Sequence, residues 1–231
     1  MDFLNILVDP LRDAVDVGAN FGRYSVRLAK LARQVLAYEP HPRLAYVLGR
    51  CLPKNVTVRQ VAVSRARGKI DLKVPMQHGQ QLESLATVES VGDLANYRQI
   101  SVDTICLDEL VDYDIGFIKI DVEGHEVDAI QGSLKLLAAQ RPVVLIEADD
   151  NHRRNATSEL FSLMTSVDYN GVFWYRDRFY DIAEFDSSKM QDQSELKEHV
   201  PRKGCAYVNN FIFAPKDNMS VLCRNLIKIS T

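Results

Sequence analysis

The sequence predicts an α/β fold, with a mostly parallel sheet and helices on both faces. Residues 14–22 (AVDVGANFG) join a short apolar run, an acid and a glycine-bearing turn, and a helix-like pattern follows directly. This order is typical of the first strand–turn–helix unit of nucleotide-binding folds. The apolar runs 116–122 (GFIKIDV) and 142–146 (PVVLI) are continuous rather than alternating. They indicate strands buried on both faces, and therefore a parallel sheet.

Bulk composition narrows the class of protein. The 231 residues, 46% of them hydrophobic, suit a single domain over 1–231 whose core is large enough to fold without disulfide or metal cross-links. A net charge of -3 creates no positive electrostatic field that would attract nucleic acid. Cys51, Cys106, Cys205 and Cys223 form no CxxC pair, so no zinc knuckle or redox motif is indicated. No apolar run approaches the roughly 18 residues of a membrane span, and no signal peptide pattern is present. We therefore expect a cytoplasmic protein that binds no nucleic acid and does not span a membrane, although a local basic patch is compatible with this net charge.

In chain order, the first half supplies a short arm, three strands and two helices. The arm is 1–12, the strands are 14–17, 35–39 and 56–63, and the helices follow Gly22 and cover 42–52. The first helix is indicated by apolar residues at roughly helical spacing, at Val26, Ala29, Leu31, Ala32 and Val35. Residues 68–74 (GKIDLKV) alternate in polarity, which predicts a half-exposed strand. Residues 75–98 lack strong periodicity, so they are either a substrate loop or an ordinary surface excursion.

In the second half, strands and helices alternate. The pattern predicts a short strand at 100–102, a helical turn at 107–111, strands at 116–122 and 142–146, and helices at 125–139 and 157–167. Late strands are predicted at 172–175, 179–180 and 207–214, the last two antiparallel at one edge. Residues 187–203 are polar and read as helix or loop.

Carboxylates follow the ends of four predicted strands. They are Asp16, Glu39, the pair Asp121 and Glu123, and Glu147. Because ligands bind beyond the carboxyl ends of strands in an open parallel sheet, these acids mark a candidate site. Like charges at one rim are costly without a ligand or a partner. Each acid also has a structural explanation. For example, Asp16 would accept hydrogen bonds from backbone N–H groups of the turn, and Glu123 would cap the following helix.

The glycine turn discriminates between ligands. A dinucleotide fold needs the pattern G-x-G-x-x-G, so that backbone amides approach a pyrophosphate. Here Asn20 occupies the second glycine position between Gly18 and Gly22. That turn disfavours a nicotinamide-dependent oxidoreductase and suits the amino-acid tail of S-adenosylmethionine. Glu39, one βαβ unit later, favours paired hydrogen bonds to ribose hydroxyls.

With DVGANFG, YEPHP, QVAVS, KIDVEGHE, VLIEAD and NNFIFAP in that order, the chain resembles the FkbM family of methyltransferases over roughly 14–215. The resemblance implies a class I, Rossmann-like methyltransferase fold with a seven-stranded, mostly parallel sheet and an antiparallel strand near one edge. It also implies methylation with S-adenosyl-L-methionine as cofactor, mostly O-methylation of sugar hydroxyls in glycans or secondary metabolites. The acceptor partner would thus be a glycan or another small molecule, and the oligomeric state is not indicated.

The resemblance also implies a set of cofactor-binding residues. Asp16 would lie below the turn, Glu39 would bind the ribose, and Asp121 would lie near the methyl group. The full set is Asp16, Gly18, Asn20, Phe21, Gly22, Tyr24, Ser25, Glu39, Pro40, Gln60, Ala62 and Asp121. Gln60 and Ala62 would lie near the adenine. Glu123, Glu126 and Glu147 match the acid pattern of the family.

Methyl transfer to a sugar hydroxyl benefits from a general base. The candidates are Asp121, Glu123, His125 and Glu147, with Asp121 and Glu123 first because they end a strand at the cleft. Oxygen ligands also suit magnesium or calcium, but nothing in the spacing requires a metal and none is predicted. A non-catalytic cofactor-binding module is the alternative, although the glycine turn and Glu39 are both intact. Trp174 and Tyr175 are core residues or stack on a sugar.

Overall fold

The computed structural model describes residues 3–77, 80–81, 86–88, 96–192, 194, 196–197, 200–201 and 207–228. Parts of the predicted segments 75–98 and 187–203, and Cys205, lie outside these residues. In chain order, the elements are α1 (Leu4–Leu7), β1 (Asp13–Val17), α2 (Arg23–Leu28), β2 (Val35–Tyr38), α3 (Pro42–Cys51), β3 (Val56–Arg59), β4 (Ala62–Val63), β5 (Gly68–Gln77), β6 (Gln80–Gln81), β7 (Tyr97–Ile105), β8 (Ile115–Ile120), α4 (Glu126–Gln131), α5 (Leu134–Gln140), β9 (Val143–Glu147), α6 (Ala156–Ser166), β10 (Tyr169–Tyr175), β11 (Arg178–Asp181), α7 (Ser187–Met190), β12 (Leu196–Lys197), β13 (Val200–Pro201), β14 (Asn210–Pro215) and α8 (Lys216–Lys228). Short 3-10 helices cover Leu107–Glu109 and Ile182–Glu184.

The main sheet has the strand order β11-β10-β14-β9-β8-β1-β2-β3. The five strands from β9 to β3 are parallel, and β14 is antiparallel to both β9 and β10. The predicted α/β class and the antiparallel strand near one edge are confirmed. The strand count differs, because the sheet has eight strands where seven were expected. Arg176 and Asp177 adopt positive φ angles of 45° and 67°, and this two-residue turn folds β11 back onto β10.

The predicted strand 56–63 is split between two sheets. Val61 N donates to Arg59 O at 3.0 Å, and this tight turn redirects the chain between β3 and β4. β4 then leaves the main sheet and pairs with β7 in a second sheet of order β4-β7-β5-β6. The predicted short strand at 100–102 is the centre of the longer β7, because β7 pairs with β5 along most of its length.

Two predicted helices are shorter than expected. The helix expected over 125–139 breaks into α4 and α5 at Gly132 and Ser133. A Cβ on Gly132 would lie 2.1 Å from Ser64 O, and Gly132 O accepts from Asp108 N at 2.9 Å, so distant parts of the chain contact the break between the two helices. The helix after Gly22 ends at Leu28. The polar segment 187–203 contains α7 and, in addition, the small β12–β13 hairpin.

The two faces of the main sheet carry separate cores. On one face, Val15, Val17, Ile118 and Ile120 pack with residues of α4, α5 and α6. On the other face, Ala14, Phe117, Leu145 and Ile212 pack with residues of α1, α2 and α8. We call these the α4–α6 face and the α1–α8 face. None of the helices in the described part of the chain has the length and apolar content to cross a membrane.

Candidate functional site

The glycine turn after β1 lies directly against the end of β8. Gly18 and Gly22 adopt φ angles of 77° and 75°, and Asn20 adopts 50°. A Cβ on Gly18 would lie 1.9 Å from Asp121 O, so only glycine permits this approach. The backbone N–H groups of Gly18 and Ala19 both donate to Tyr38 O, at 2.9 and 3.0 Å. The turn is therefore fixed between β2 and β8.

Glu39 closes this turn from the end of β2. Its Oε2 accepts from Asn20 N, and its Oε1 accepts from His41 N, both at 2.7 Å. Its burial raises the pKa to about 7, although the two hydrogen bonds act in the opposite direction. The carboxyl group thus lies beside the turn, where its charge is sensitive to pH near neutrality.

Asp16 and Ser25 lie beneath the turn rather than in a cavity. Ser25 Oγ donates to Asp16 Oδ2 at 2.5 Å, and both side chains are buried. Burial raises the pKa of Asp16 to about 6, against the hydrogen bond from Ser25. Gly22 packs against Leu48 of α3, where an added Cβ would lie 2.8 Å from Leu48 Cδ2. These three residues hold α2 and α3 against β1.

A cavity opens at the carboxyl edge of the sheet beside the turn, with about 670 Å³ of empty space that includes a part open to solvent. Six of the predicted cofactor residues line it: Gly18, Asn20, Glu39, Pro40, Ala62 and Asp121. We call it the cofactor cavity. Phe21 is 63% exposed and Gln60 is also exposed, and neither lines the cavity. Tyr24 lines a different cavity.

Three candidate bases, Asp121, Glu123 and His125, line the cofactor cavity, as does residue 87 of the predicted substrate loop. Thr87 Oγ1 donates to Glu123 O at 2.7 Å. Burial, followed by the charges of Asp121 and Glu147, raises the pKa of Glu123 to about 7. His152 Nδ1 lies 3.4 Å from Glu123 Oε2. Glu123 is thus a second carboxyl group that titrates near neutral pH.

The ring nitrogens of His125 lie beside Ser64 and Asp128. Nε2 lies 3.0 Å from Ser64 Oγ, and Nδ1 lies 3.8 Å from Asp128 Oδ2. Asp128 is in turn paired with Arg65 and Arg153. This arrangement fastens the start of α4 to the chain after β4. In the part of the chain that the structure describes, no three His, Cys, Asp or Glu side chains come together as a metal-ligand group.

Lys119 lies between the acids at the ends of β8 and β9. Its side chain is fully buried, and Nζ lies 3.7 Å from both Asp121 Oδ2 and Glu147 Oε2. Burial acts to lower the pKa of Lys119, but the carboxylates of Asp121 and Glu147 outweigh it and the net shift is upward. Burial and the Asp121 charge raise the pKa of Glu147. We call Lys119, Asp121 and Glu147 the charged cluster.

Comparison with known proteins identifies the family. The family model for the Methyltransferase FkbM domain matches residues 16–170, which is more than half of the chain. The chain belongs to the FkbM methyltransferase family. None of the curated proteins matches it.

A solved FkbM methyltransferase shares the fold of this FkbM chain. Methyltransferase FkbM from Methylobacillus flagellatus KT superposes with a TM-score of 0.56 at 18% identity over 89% of the chain. The chain spans 44% of the length of that protein. Precorrin-6y C5,15-methyltransferase from Geobacter metallireducens GS-15 has a TM-score of 0.46 at 15% identity, with 93% of this chain and 85% of that chain covered. A putative methyltransferase from Streptococcus mutans in complex with SAH has a TM-score of 0.46 at 10% identity, with 92% of each chain covered. The predicted family and the Rossmann-like methyltransferase fold are confirmed.

Two residues of this FkbM chain were missed by sequence reasoning. Lys119 is the one charged residue inside the apolar strand β8 (IGFIKI), which was a usable signal. Tyr38 lines the cofactor cavity and is buried, and its hydroxyl has no hydrogen-bond partner among the described residues. Burial raises the pKa of Tyr38 to about 12, so its hydroxyl stays protonated at neutral pH. A phenol at the carboxyl end of an apolar strand was the signal for it.

Glu126 was predicted only as a match to the acid pattern of the FkbM family. The structure shows that it holds the turn that carries Glu123. Its Oε1 accepts from Gly124 N at 3.0 Å and from Val122 N at 3.3 Å, while Glu123 and Gly124 adopt φ angles of 49° and 101°. Glu126 is 2% exposed, and burial raises its pKa to about 7.

Proposed function

We propose that this chain is an S-adenosylmethionine-dependent O-methyltransferase that acts on a sugar hydroxyl of a glycan or of a small molecule. The observation that carries the proposal is the buried carboxyl group of Glu39 beside the Gly18 turn, in the wall of the cofactor cavity. A carboxylate accepts two hydroxyl groups at once, which suits the vicinal hydroxyls of a ribose. Asn20 occupies the second glycine position of the G-x-G-x-x-G pattern that a pyrophosphate needs.

The cofactor cavity fits a nucleoside in two further respects. Gly18 leaves room for close approach to the backbone of β8, since any side chain there would collide with Asp121 O. Tyr38 lines the cavity, and its buried hydroxyl has no hydrogen-bond partner among the described residues. Because an unpartnered buried hydroxyl costs about 1–3 kcal/mol, a purine ring nitrogen is a favourable acceptor for it.

When bound, S-adenosylmethionine supplies a methyl group whose bond to sulfur breaks as a bond to the acceptor oxygen forms, leaving a thioether. The chain must orient the acceptor hydroxyl and remove its proton. Asp121 is our choice for the base, because it lines the cofactor cavity and belongs to the charged cluster. A positioned base contributes about 10²–10⁴-fold to the rate.

Lys119 sets the charge around this base. Its ammonium group compensates the negative charges of Asp121 and Glu147, each 3.7 Å away. Because a buried charge is costly unless it is paired, the ammonium group fixes the positions of these two carboxylates. Lys119 is therefore a positioning residue in the proposal, and Asp121 is the group that takes the proton.

Turnover tests the proposal. Formation of S-adenosylhomocysteine from S-adenosylmethionine is followed with a panel of methyl hexopyranosides as acceptors. Asp121→Asn should remove turnover, while Glu123→Gln should retain most of it, because the carboxylate of Glu123 is not required as the base. If Glu123→Gln is the inactive variant, the base is Glu123. Binding of S-adenosylhomocysteine without turnover on any acceptor would favour a non-catalytic cofactor-binding module.

A further inference from the structure

A second cavity lies on the α1–α8 face of the sheet and is rich in aromatic side chains. We call it the aromatic cavity. It contains about 590 Å³ of empty space, part of it open to solvent. Its aromatic and polar lining residues are Phe3, Tyr24, Arg27, Trp174, Phe179 and Asn210. Small-molecule sites share this character, an apolar wall with a few polar groups at defined places.

The aromatic cavity adjoins the charged cluster. The Tyr24 ring centroid lies 5.0 Å from Lys119 Nζ. Asn210 of β14 is the register partner of Glu147 on β9. Both Tyr24 and Asn210 therefore connect the wall of the aromatic cavity with side chains that lie beside Asp121.

The cofactor cavity reaches the same edge of the sheet from the opposite face. Val17, Tyr38 and Val63 line it, and all three belong to the core of the α4–α6 face. The aromatic cavity is lined by Leu145 and Ile212, which belong to the core of the α1–α8 face. An in-line displacement requires donor and acceptor on opposite sides of the transferred group. Asp121 lines the cofactor cavity and Tyr24 of the aromatic cavity lies beside Lys119, so the charged cluster lies between two cavities on opposite faces, which suits that arrangement.

We propose that the aromatic cavity is the acceptor subsite and that it takes a pyranose ring; this inference rests on the proposed function. The C–H groups on the face of a pyranose carry partial positive charge and pack favourably on the negative faces of aromatic rings. The Trp174 ring lies 4.9 Å from the Phe179 ring and 5.6 Å from the Phe3 ring, so the three form a continuous aromatic wall.

Polar groups at the rim of this wall match the hydroxyls of a sugar. The Asn210 amide is exposed, and the Tyr24 hydroxyl and the Arg27 guanidinium are the other polar groups of the lining. Amide and hydroxyl groups both donate and accept, which suits a ring that carries several hydroxyls. Tyr24 is thereby assigned to the acceptor rather than to the cofactor.

Trp174 provides a direct test, because it is the one tryptophan in the chain and it lines the aromatic cavity. Its emission is recorded with saturating S-adenosylhomocysteine while methyl pyranosides of glucose, galactose, mannose and rhamnose are added singly up to 100 mM. We expect a saturable change for at least one of them, at roughly millimolar affinity, as befits a ligand of one ring. Glycerol, which has hydroxyls but no ring, should give no saturable change.

A matched pair of variants tests whether the pyranose ring binds in the aromatic cavity. Asn210→Ala removes an amide at the rim of the cavity and should weaken pyranoside binding by roughly 2- to 12-fold, the value of one neutral hydrogen bond. Asn218→Ala removes an exposed amide on α8, outside the lining, and should leave the affinity unchanged. Equal affinity in both variants would place the ring elsewhere and overturn the assignment. Circular dichroism verifies that both variants are folded.

The outcomes separate this inference from the proposed function. If S-adenosylhomocysteine binds but no pyranoside gives a saturable change, the acceptor subsite is wrong and the cofactor assignment stands. If phenol saturates the Trp174 signal and the pyranosides do not, the cavity takes a planar aromatic acceptor and the pyranose assignment is wrong. If S-adenosylhomocysteine itself does not bind, it is the proposed function that fails.

Discussion

Glu39→Gln keeps the size of the side chain but removes its charge, and it tests the ribose assignment. Glu39 accepts one hydrogen bond on each carboxylate oxygen, from Asn20 N and His41 N. A glutamine has one acceptor oxygen, so its amide nitrogen would face one of these two N–H groups. It would also offer a ribose a neutral partner in place of a charged one.

The expected loss follows from the strength of hydrogen bonds to charged groups. Such a bond contributes about 1.5–3 kcal/mol. Losing one of the bonds to the ribose therefore weakens binding of S-adenosylhomocysteine by roughly 10- to 150-fold. The fold itself should persist, because the glutamine oxygen still accepts one of the two backbone N–H groups.

The raised pKa of Glu39 adds a pH dependence. With a pKa of about 7, the carboxyl group is mostly protonated at pH 6 and mostly ionised at pH 8. If the ionised form binds the ribose, affinity should rise about tenfold between pH 6 and pH 8. The Glu39→Gln variant should lack this rise, because the amide does not titrate.

Isothermal titration calorimetry with S-adenosylhomocysteine at pH 6, 7 and 8 measures both effects. Glu184→Gln, at an exposed position in the Ile182–Glu184 turn, is the matched control and should behave as the wild type. Wild-type affinity in Glu39→Gln would refute the ribose assignment. The same rise with pH in both proteins would show that another group is responsible for the titration.

Three further variants test the structural reasoning. Gly18→Ala should abolish measurable binding of S-adenosylhomocysteine in calorimetry, because the added Cβ would lie 1.9 Å from Asp121 O. Near-normal affinity would show that the turn moves freely. Glu126 has a folded pKa of about 7 against an ordinary value of 4.5, so its contribution to stability is present below pH 4.5 and is lost as pH rises through 7. As the pH rises from 4.5 to 7.5, the free energy of unfolding of Glu126→Gln, measured by urea titration, should therefore increase relative to that of the wild type by roughly 2–3 kcal/mol. A relative decrease over the same range would contradict the upward direction of the pKa shift. Tyr38→Phe should weaken binding of S-adenosylhomocysteine by about 2- to 12-fold and should leave the thermal stability of the protein unchanged or higher. Lower thermal stability with unchanged affinity would indicate a structural partner for the hydroxyl.

Short-range patterns were sufficient for the first unit of the fold. The acid and the two glycines of DVGANFG, with Glu39 one unit later, predicted a turn and a carboxyl group that the structure places together at 2.7 Å through Asn20 N. These features depend on backbone conformation within a few residues and on the regular rise of one strand and one helix. They therefore can be predicted without knowledge of distant contacts.

Breaks in the elements depended on distant contacts. The helix pattern over 125–139 is continuous in sequence, yet Gly132 meets Ser64 O from another part of the chain and the helix ends. The strand predicted over 56–63 gave no sign that Val61 would turn back on Arg59. Periodicity reports which residues are apolar, but it does not report which partner covers them.

Assignment of side chains to a cavity depended on the face from which they project. Tyr24 follows the glycine turn closely, and the family resemblance implied that it contacts the cofactor. The structure directs its ring to the α1–α8 face, beside Lys119, where it lines the aromatic cavity. The rotation of α2 about its axis decides this, and the short α2 has too few apolar residues to define that rotation from sequence.

The central claim is that the cavity beside the Gly18 turn binds the nucleoside of S-adenosylmethionine. Calorimetric titration of the wild-type protein with S-adenosylhomocysteine at pH 8 tests it most directly, with NAD as the comparison ligand. We expect one site of micromolar affinity for S-adenosylhomocysteine and no heat of binding for NAD. Absence of binding at high micromolar S-adenosylhomocysteine, or tighter binding of NAD, would contradict it.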